Sequence, residues 1–154
     1  PISENNWQVW YGAGNSFSQG KDKTLPNYNI RTLVTNSLTN FPDSGTEVID
    51  TKNDEYRVGR PNVTIKNNKY YMFFGAGSET IPYQLELAIS DDAKNWKRLN
   101  SGVKFKNNNI DWDNEMKAYP SIIDINDKTY LFYNGNNYGY EGFICSELQG
   151  NLNN

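Results

Sequence analysis

The sequence predicts an all-β fold assembled from four-stranded antiparallel propeller blades. Three observations carry this reading. First, two stretches repeat one order of features. Residues 54–77 (DEYRVGRPNVTIKNNKYYMFFGAG) and 112–143 (WDNEMKAYPSIIDINDKTYLFYNGNNYGYEGF) each pass from acidic residues through a proline-led strand to an aromatic strand. Pro120 follows Pro61, and Asn134 follows Gly75, by the same 59 residues. Second, the aromatic strand has an upstream copy, in which WQVWYGAG (7–14) matches YYMFFGAG (70–77). A strand-built repeat of this length marks propeller blades. Third, only 36% of the 154 residues are hydrophobic while 14% are aromatic. Tyr, Trp and Phe must therefore fill much of the core, which suits a pleated surface.

The elements follow in order. Residues 7–11 alternate as a strand that is apolar on much of both faces. Residues 12–26 are rich in Gly, Ser, Asn and Lys and predict a long loop. Residues 29–35 and 46–49 supply two more strands, separated by the turn TNSLTNF (35–41). The second blade opens with an innermost strand at 60–65, where Pro61 is tolerated because a strand's first residue need not donate to the ladder. Asn67-Asn68 predicts a tight hairpin. The strand 70–74 places Tyr70, Met72 and Phe74 on one face and Tyr71 and Phe73 on the other, as expected of a sheet packed between two others. Strands at 84–90 and 97–99 complete that blade. The third blade repeats the scheme with 120–125, a turn at Asn126-Asp127, 129–133 and 142–148. No stretch shows helical periodicity, and the tail from 149 is expected to fray.

The count is three strands, then four, then three, giving one domain over 1–154 with blade remnants at 7–49, 55–99 and 115–148. On this reading the chain joins the first blade after its inner strand and leaves the last before its outer one. That exposes sheet faces and edges, which proteins normally cover. Two expectations follow: further N-terminal blades in a longer chain, or a second copy that completes the ring.

Composition excludes several function classes. Net charge is −3 with no basic stripe, so nucleic acid is not an expected partner. No apolar run reaches membrane-spanning length, so no membrane partner is expected. Histidine is absent, which removes Ser-His and Cys-His nucleophiles and His metal sites. Acid–base chemistry falls to carboxylates, tyrosines or lysines. No metal and no cofactor is expected: NGNNYGYEG (134–142) lacks the spacing of a phosphate loop. The lone Cys145 excludes an intrachain disulfide and points weakly to a reducing, cytoplasmic compartment.

The candidate site residues come from the repeat. Glu55 lies five residues before Arg60, and Glu115 four before Tyr119. Inner strands of neighbouring blades begin at the rim of one central funnel, so these carboxylates are expected to face a common cavity. Paired carboxylates are what glycoside hydrolysis requires. Their alternative is to cap turns or to pair with Arg57, Arg60 or Lys117. Arg60 can hold a carboxylate or phosphate in a forked geometry, and Tyr119 can stack on a sugar face. Trp112 and Asp113 stand in the approach to the third blade as further substrate-binding candidates. SDDAKNW (90–96) is expected to be a structural turn in which Ser and Asp bind backbone amides and Trp packs beneath.

Together, RPNVTIKNNKYYMFF, the SDDAKNW turn and WDNEMKAYPSII…YLFYNGNNYGYEGF resemble an uncharacterised bacterial group related to the five-bladed propeller glycosidases of glycoside hydrolase families 43 and 32. The resemblance covers residues 55–148 and matches the C-terminal half of such chains. It implies about two and a half blades of a five-bladed ring, a carbohydrate substrate and Glu115 as acid. It also implies Glu55 as partner carboxylate or orienter, with Arg60 facing the substrate. SDDAKNW resembles the S-x-D-G-x-x-W turn of these blades, with Ala93 replacing glycine. Another departure is chemical: characterised members commonly carry Asp before the inner-strand proline, where this chain has Arg60 and Tyr119. The alternative is therefore a non-catalytic carbohydrate-binding or scaffold module.

Overall fold

Asn67-Asn68 and Asn126-Asp127 fold the chain back as the sequence leads one to expect. All four residues have positive φ, between 49° and 63°, and they join strands whose last pairs are Lys66 with Lys69 and Ile125 with Lys128. Two positive-φ residues make a type I′ turn, whose twist matches that of the flanking strands. Asn and Asp accept this backbone more readily than other side chains.

A computed structural model describes residues 1–106, 111–140, 142–150 and 152. The first blade holds β1 (Trp7–Gln19), β2 (Thr24–Thr35) and β3 (Thr46–Ile49). The second holds β4 (Glu55–Lys66), β5 (Lys69–Ser78), β6 (Gln84–Ser90) and β7 (Lys97–Arg98). The third holds β8 (Ala118–Ile125), β9 (Lys128–Asn134) and β10 (Phe143–Glu147). Neighbours within each blade are antiparallel. One parallel pair, Tyr28 with Arg57, joins the first blade to the second.

The repeat is exact in register. Gly59 faces Gly75 and Asn62 faces Phe73 in the second blade, while Ala118 faces Asn134 and Ser121 faces Phe132 in the third. The inner strands also touch. Asn62 Oδ1 accepts the Ile122 N–H at 3.1 Å, Lys66 pairs with Asp124, and Lys66 Nζ donates to Thr129 Oγ1 at 2.8 Å. Pro61 and Pro120 therefore stand on adjacent inner strands.

The two-faced aromatic strand explains the core. Met72 and Phe74 pack with Ile30, Ile49 and Val58 toward the first blade. Tyr71 and Phe73 pack with Leu85, Leu131 and Tyr133 toward the third. At roughly 25 cal/mol per Å² of apolar surface removed from water, aromatic side chains buried on both faces provide the main force holding blades together. SDDAKNW forms its turn as expected. Asp92 Oδ1 accepts the N–H groups of Lys94 at 2.9 Å and Asn95 at 2.7 Å. Trp96 Nε1 donates to the Ala93 carbonyl at 3.1 Å, and Ala93 takes the left-handed backbone (φ 60) that glycine would favour.

Three regions differ from the sequence expectation. The inner strand β4 already begins at Glu55, so Pro61 sits inside it, at the break in the ladder between Gly59 and Asn62, where no N–H is required of it. Residues 12–26, expected as a long loop, instead continue β1 and β2 as a hairpin closed by Gly20 N–H to the Lys23 carbonyl at 2.9 Å. Its polar residues serve as cross-strand partners: Ser18 donates to Asn27 at 2.9 Å and Asn27 to Ser16 at 3.0 Å. The backbone ladder satisfies the chain without an apolar face, so composition masks the strand. In addition, residues 136–139 form a single helical turn, α1 (Asn136–Gly139), with Asn137 and Tyr138 in the left-handed region. The tail expectation falls partly outside the described residues.

Candidate functional site

Two bulges aim the site. The β4 ladder skips between Gly59 and Asn62, and the β8 ladder between Ala118 and Ser121. Arg60 (φ 56) and Tyr119 (φ 58) occupy these bulges in the left-handed region, each directly before a proline. That backbone costs roughly 1–2 kcal/mol for an L-residue. Bulges of this kind re-aim side chains and cluster beside functional sites. The two side chains meet: the Arg60 guanidinium carbon lies 5.0 Å from the Tyr119 ring centroid.

An aromatic cluster extends from that pair. Tyr119 stacks on Tyr138 at 6.1 Å, and Tyr138 meets Tyr83 edge-on at 6.4 Å. Arg57 lies over Tyr83 at 4.0 Å and over Tyr56 at 4.8 Å, and its Nη1 donates to the Tyr138 hydroxyl at 3.4 Å. The glycines of GAG make room for this. A Cβ at Gly75 would sit 3.0 Å from the Tyr83 ring, and one at Gly77 would sit 3.2 Å from Arg57 Nε. Burial raises the pKa of Tyr56 and Tyr83 above 10.0, with the Arg57 charge opposing it. Both phenols therefore stay neutral at physiological pH and offer hydroxyl hydrogen bonds.

The two glutamates have different surroundings. Glu55 is held by Arg98 through two bonds of 2.8 and 2.9 Å, and it accepts the Lys52 N–H at 2.9 Å. Burial alone would lower the Arg98 pKa, but Glu55 and Glu86 more than offset it and the group stays charged. Glu115 is exposed, and among the described residues no ion pair holds it. Its backbone is fixed from both sides: its N–H donates to Asn136 Oδ1 at 3.0 Å and its carbonyl accepts from Gln84 Nε2 at 2.7 Å. The Lys117 N–H donates to the Tyr83 carbonyl at 2.8 Å, so this segment runs along the edge of the tyrosine cluster.

Trp112 is 61% exposed, and its carbonyl accepts the Asn136 N–H at 2.6 Å. Asp113, expected to touch substrate, is instead fully buried. It accepts the Tyr133 hydroxyl at 2.7 Å, and Lys117 Nζ lies 3.6 Å from the same carboxylate. Its location inside the blade lets it brace the segment that carries Glu115, and no ligand can reach it there. Burial and the Asp113 bond together drive the Tyr133 pKa well above 10.0.

The sequence reading missed Asn136, Tyr83 and Tyr138 as site residues and treated Arg57 only as a possible partner for the two glutamates. Asn136 lies within the glycine-rich NGNNYGYEG stretch. Its Nδ2 donates to the Asp111 carbonyl at 2.9 Å and to Asn114 Oδ1 at 2.7 Å. One amide side chain thus gathers most of the 111–116 approach. Among the described residues, no group of three or more acidic or cysteine side chains converges as a metal site.

Superposition on known structures decides the architecture. A family 32 β-fructofuranosidase of Bombyx mori matches with a TM-score of 0.68 at 16% identity, over 99% of this chain and 33% of the enzyme. A thermostable family 43 glycoside hydrolase matches at 0.65 and 14% identity, over 94% and 51%. The fold is that of the propeller glycoside hydrolases. An α-L-arabinofuranosidase from Clostridium thermocellum matches this propeller at 0.57 and 14% identity, over 95% of the chain and 46% of the enzyme. No protein-family model matches the chain. In sequence, the propeller is similar to uncharacterised proteins from two strains of Mycobacterium tuberculosis, each 27% identical over 144 residues. The match covers 93% of this chain and 47% of each relative, so the chain spans about half their length.

Proposed function

We propose that this chain is part of a carbohydrate-active propeller that hydrolyses glycosidic bonds in a bacterial polysaccharide or glycan, with Glu115 as the acid. The observation that carries this reading is the setting of Glu115. Its carboxylate is exposed, its backbone is clamped by Asn136 and Gln84, and its segment borders exposed aromatic rings. A fixed base under a solvent-facing acid suits proton transfer to a bound ligand. In the proposed step the glycosidic oxygen takes the Glu115 proton as its bond to the anomeric carbon breaks. A water oxygen forms the new bond at that carbon and gives its proton to a partner carboxylate.

Glu55 was the first candidate for that partner. Its forked bond to Arg98 favours the orienting role instead. The partner base then belongs to the blades that complete the ring, whether from a longer chain or from a second copy. Arg60, Tyr119 and Trp112 are the proposed substrate contacts, the two rings serving as platforms for sugar faces. A non-catalytic carbohydrate-binding role is the second reading. It is favoured by the same Glu55–Arg98 pair, which leaves Glu115 without a nearby free carboxylate partner among the assigned site residues.

The test uses the complete protein and a panel of oligosaccharides, with reducing-end release and binding measured together. Glu115→Gln is expected to keep binding and to lose about 100-fold or more in hydrolysis. Normal hydrolysis by the variant would remove Glu115 from the acid role. Wild-type binding without turnover would favour the second reading.

A further inference from the structure

We infer that Arg57 and Arg60 together form an anion-reading subsite, and that the sugar bound at this funnel carries a negatively charged group. The inference rests on the carbohydrate reading above and specifies its substrate class.

The argument begins with charge. Neither arginine enters an ion pair among the described residues. Two acids near this cluster, Glu55 two residues before Arg57 and Glu79, whose charge is felt by Tyr56, are committed elsewhere. Glu55 is held by Arg98, and Glu79 accepts the Lys21 N–H through both oxygens at 2.8 and 3.1 Å. What surrounds the guanidinium groups is aromatic. Arg57 lies over Tyr83 and Tyr56, and Arg60 over Tyr119. Ring faces attract a cation but do not take up its in-plane N–H donors. Arg57 spends one donor, Nη1, on the Tyr138 hydroxyl at 3.4 Å, and its Nε has no hydrogen-bond partner.

Geometry supplies the second part. The two arginines flank one pair of stacked rings: Arg60 lies over Tyr119, Tyr119 stacks on Tyr138, and the Tyr138 hydroxyl accepts from Arg57. Arg60 is exposed and Tyr138 is 45% exposed. The sugar-stacking surface and the cations are therefore a single patch. Arg60 reaches it through a left-handed bulge, and Arg57 packs close against Gly77, where a Cβ would sit 3.2 Å from its Nε. Planar guanidinium groups present paired donors that match a carboxylate, and equally a phosphate or sulfate. A sugar held against the exposed Tyr138 would bring an acidic substituent toward these guanidinium groups.

The experiment measures binding of three matched trisaccharide probes to the complete protein by calorimetry. These are tri-galacturonate, the same trimer reduced to neutral galactose, and a galactose trimer bearing one phosphate. We expect at least one acidic probe to bind about tenfold or more tighter than the neutral one at low salt, a gap that charge-assisted hydrogen bonds readily supply. The uronate and phosphate arms identify which anion the pair reads. In the Arg57→Gln/Arg60→Gln double variant the ratio of acidic-probe to neutral-probe affinity is expected to fall below about twofold. Arg57→Lys should restore only part of it, because an ammonium lacks the fork. Equal wild-type affinity for all three probes overturns the subsite while leaving the carbohydrate reading intact. Binding of none of the three also overturns the subsite, and the oligosaccharide panel then decides the carbohydrate reading separately. An acidic preference that survives in a folded double variant overturns the assignment to these residues.

Discussion

Glu55 opens the inner strand β4, Glu115 lies just before the inner strand β8 of the adjacent blade, and their carboxylates meet opposite surroundings. Glu55 is enclosed by an arginine from the outer strand of its own blade, with both side chains 13% exposed. Glu115 faces solvent from a loop held by an amide side chain. The comparison shows that a repeat carries backbone position faithfully but does not carry the partners of a charge. Arg98 lies 43 positions beyond Glu55 and belongs to a strand that has no equivalent after β10 among the described residues. A second contrast lies deeper. The approach to the third blade has a buried Asp113 bracing it from within, whereas the approach to the second is braced by the ion pair itself.

The comparison can be broken most forcefully at Asp113. Asp113→Ala removes an acceptor of the Tyr133 hydroxyl and the counter-charge of a nearly buried Lys117 ammonium, and removing one partner of a buried pair costs about 3–5 kcal/mol. Denaturant unfolding of the complete protein checks this, and a loss below about 1 kcal/mol would mean that water replaces the carboxylate. The next effect separates the glutamates. Glu55→Gln should cost about 1–3 kcal/mol by leaving Arg98 half satisfied, while Glu115→Gln should stay within about 0.5 kcal/mol. Equal losses in the same melts would show that the Glu55–Arg98 bonds carry little stability. The smallest effect concerns acid. Backbone N–H groups of Asn95 and Lys94 hold the Asp92 pKa well below 3.8 in the folded chain. A depressed folded pKa adds stability above about pH 4 that is lost as pH falls. Asp92→Asn should therefore flatten the acid side of the stability profile. A profile unchanged below pH ~4 would assign acid sensitivity to other carboxylates, such as Asp124, which Lys66 also holds low.

Much of the fold was legible because its signals are local. The Asn67-Asn68 and Asn126-Asp127 turns, the two-faced strand at 70–74 and the SDDAKNW turn are each specified by residues a few positions apart. The hairpin through residues 12–26 was not legible, since an exposed ladder of Ser, Asn and Gly leaves no apolar alternation to read. The site was half legible. The proline-led repeat located Arg60 and Tyr119 and led one to expect their proximity. Nothing in the spacing pointed to Tyr83 or Tyr138, which come from a connection and a one-turn helix. Asp113 looked like a surface acid because its neighbours in sequence are polar, and only Tyr133 and Lys117 show that it faces inward.

The sequence by itself determined the blade repeat, the strand periods and the turn conformations, because steric limits on the backbone and the alternation of side chains act over a few residues. The tertiary structure alone decided which charges are neutralised and which remain open. That outcome depends on side chains from segments tens of residues apart meeting across blades, where distance and burial, rather than spacing along the chain, set the energy.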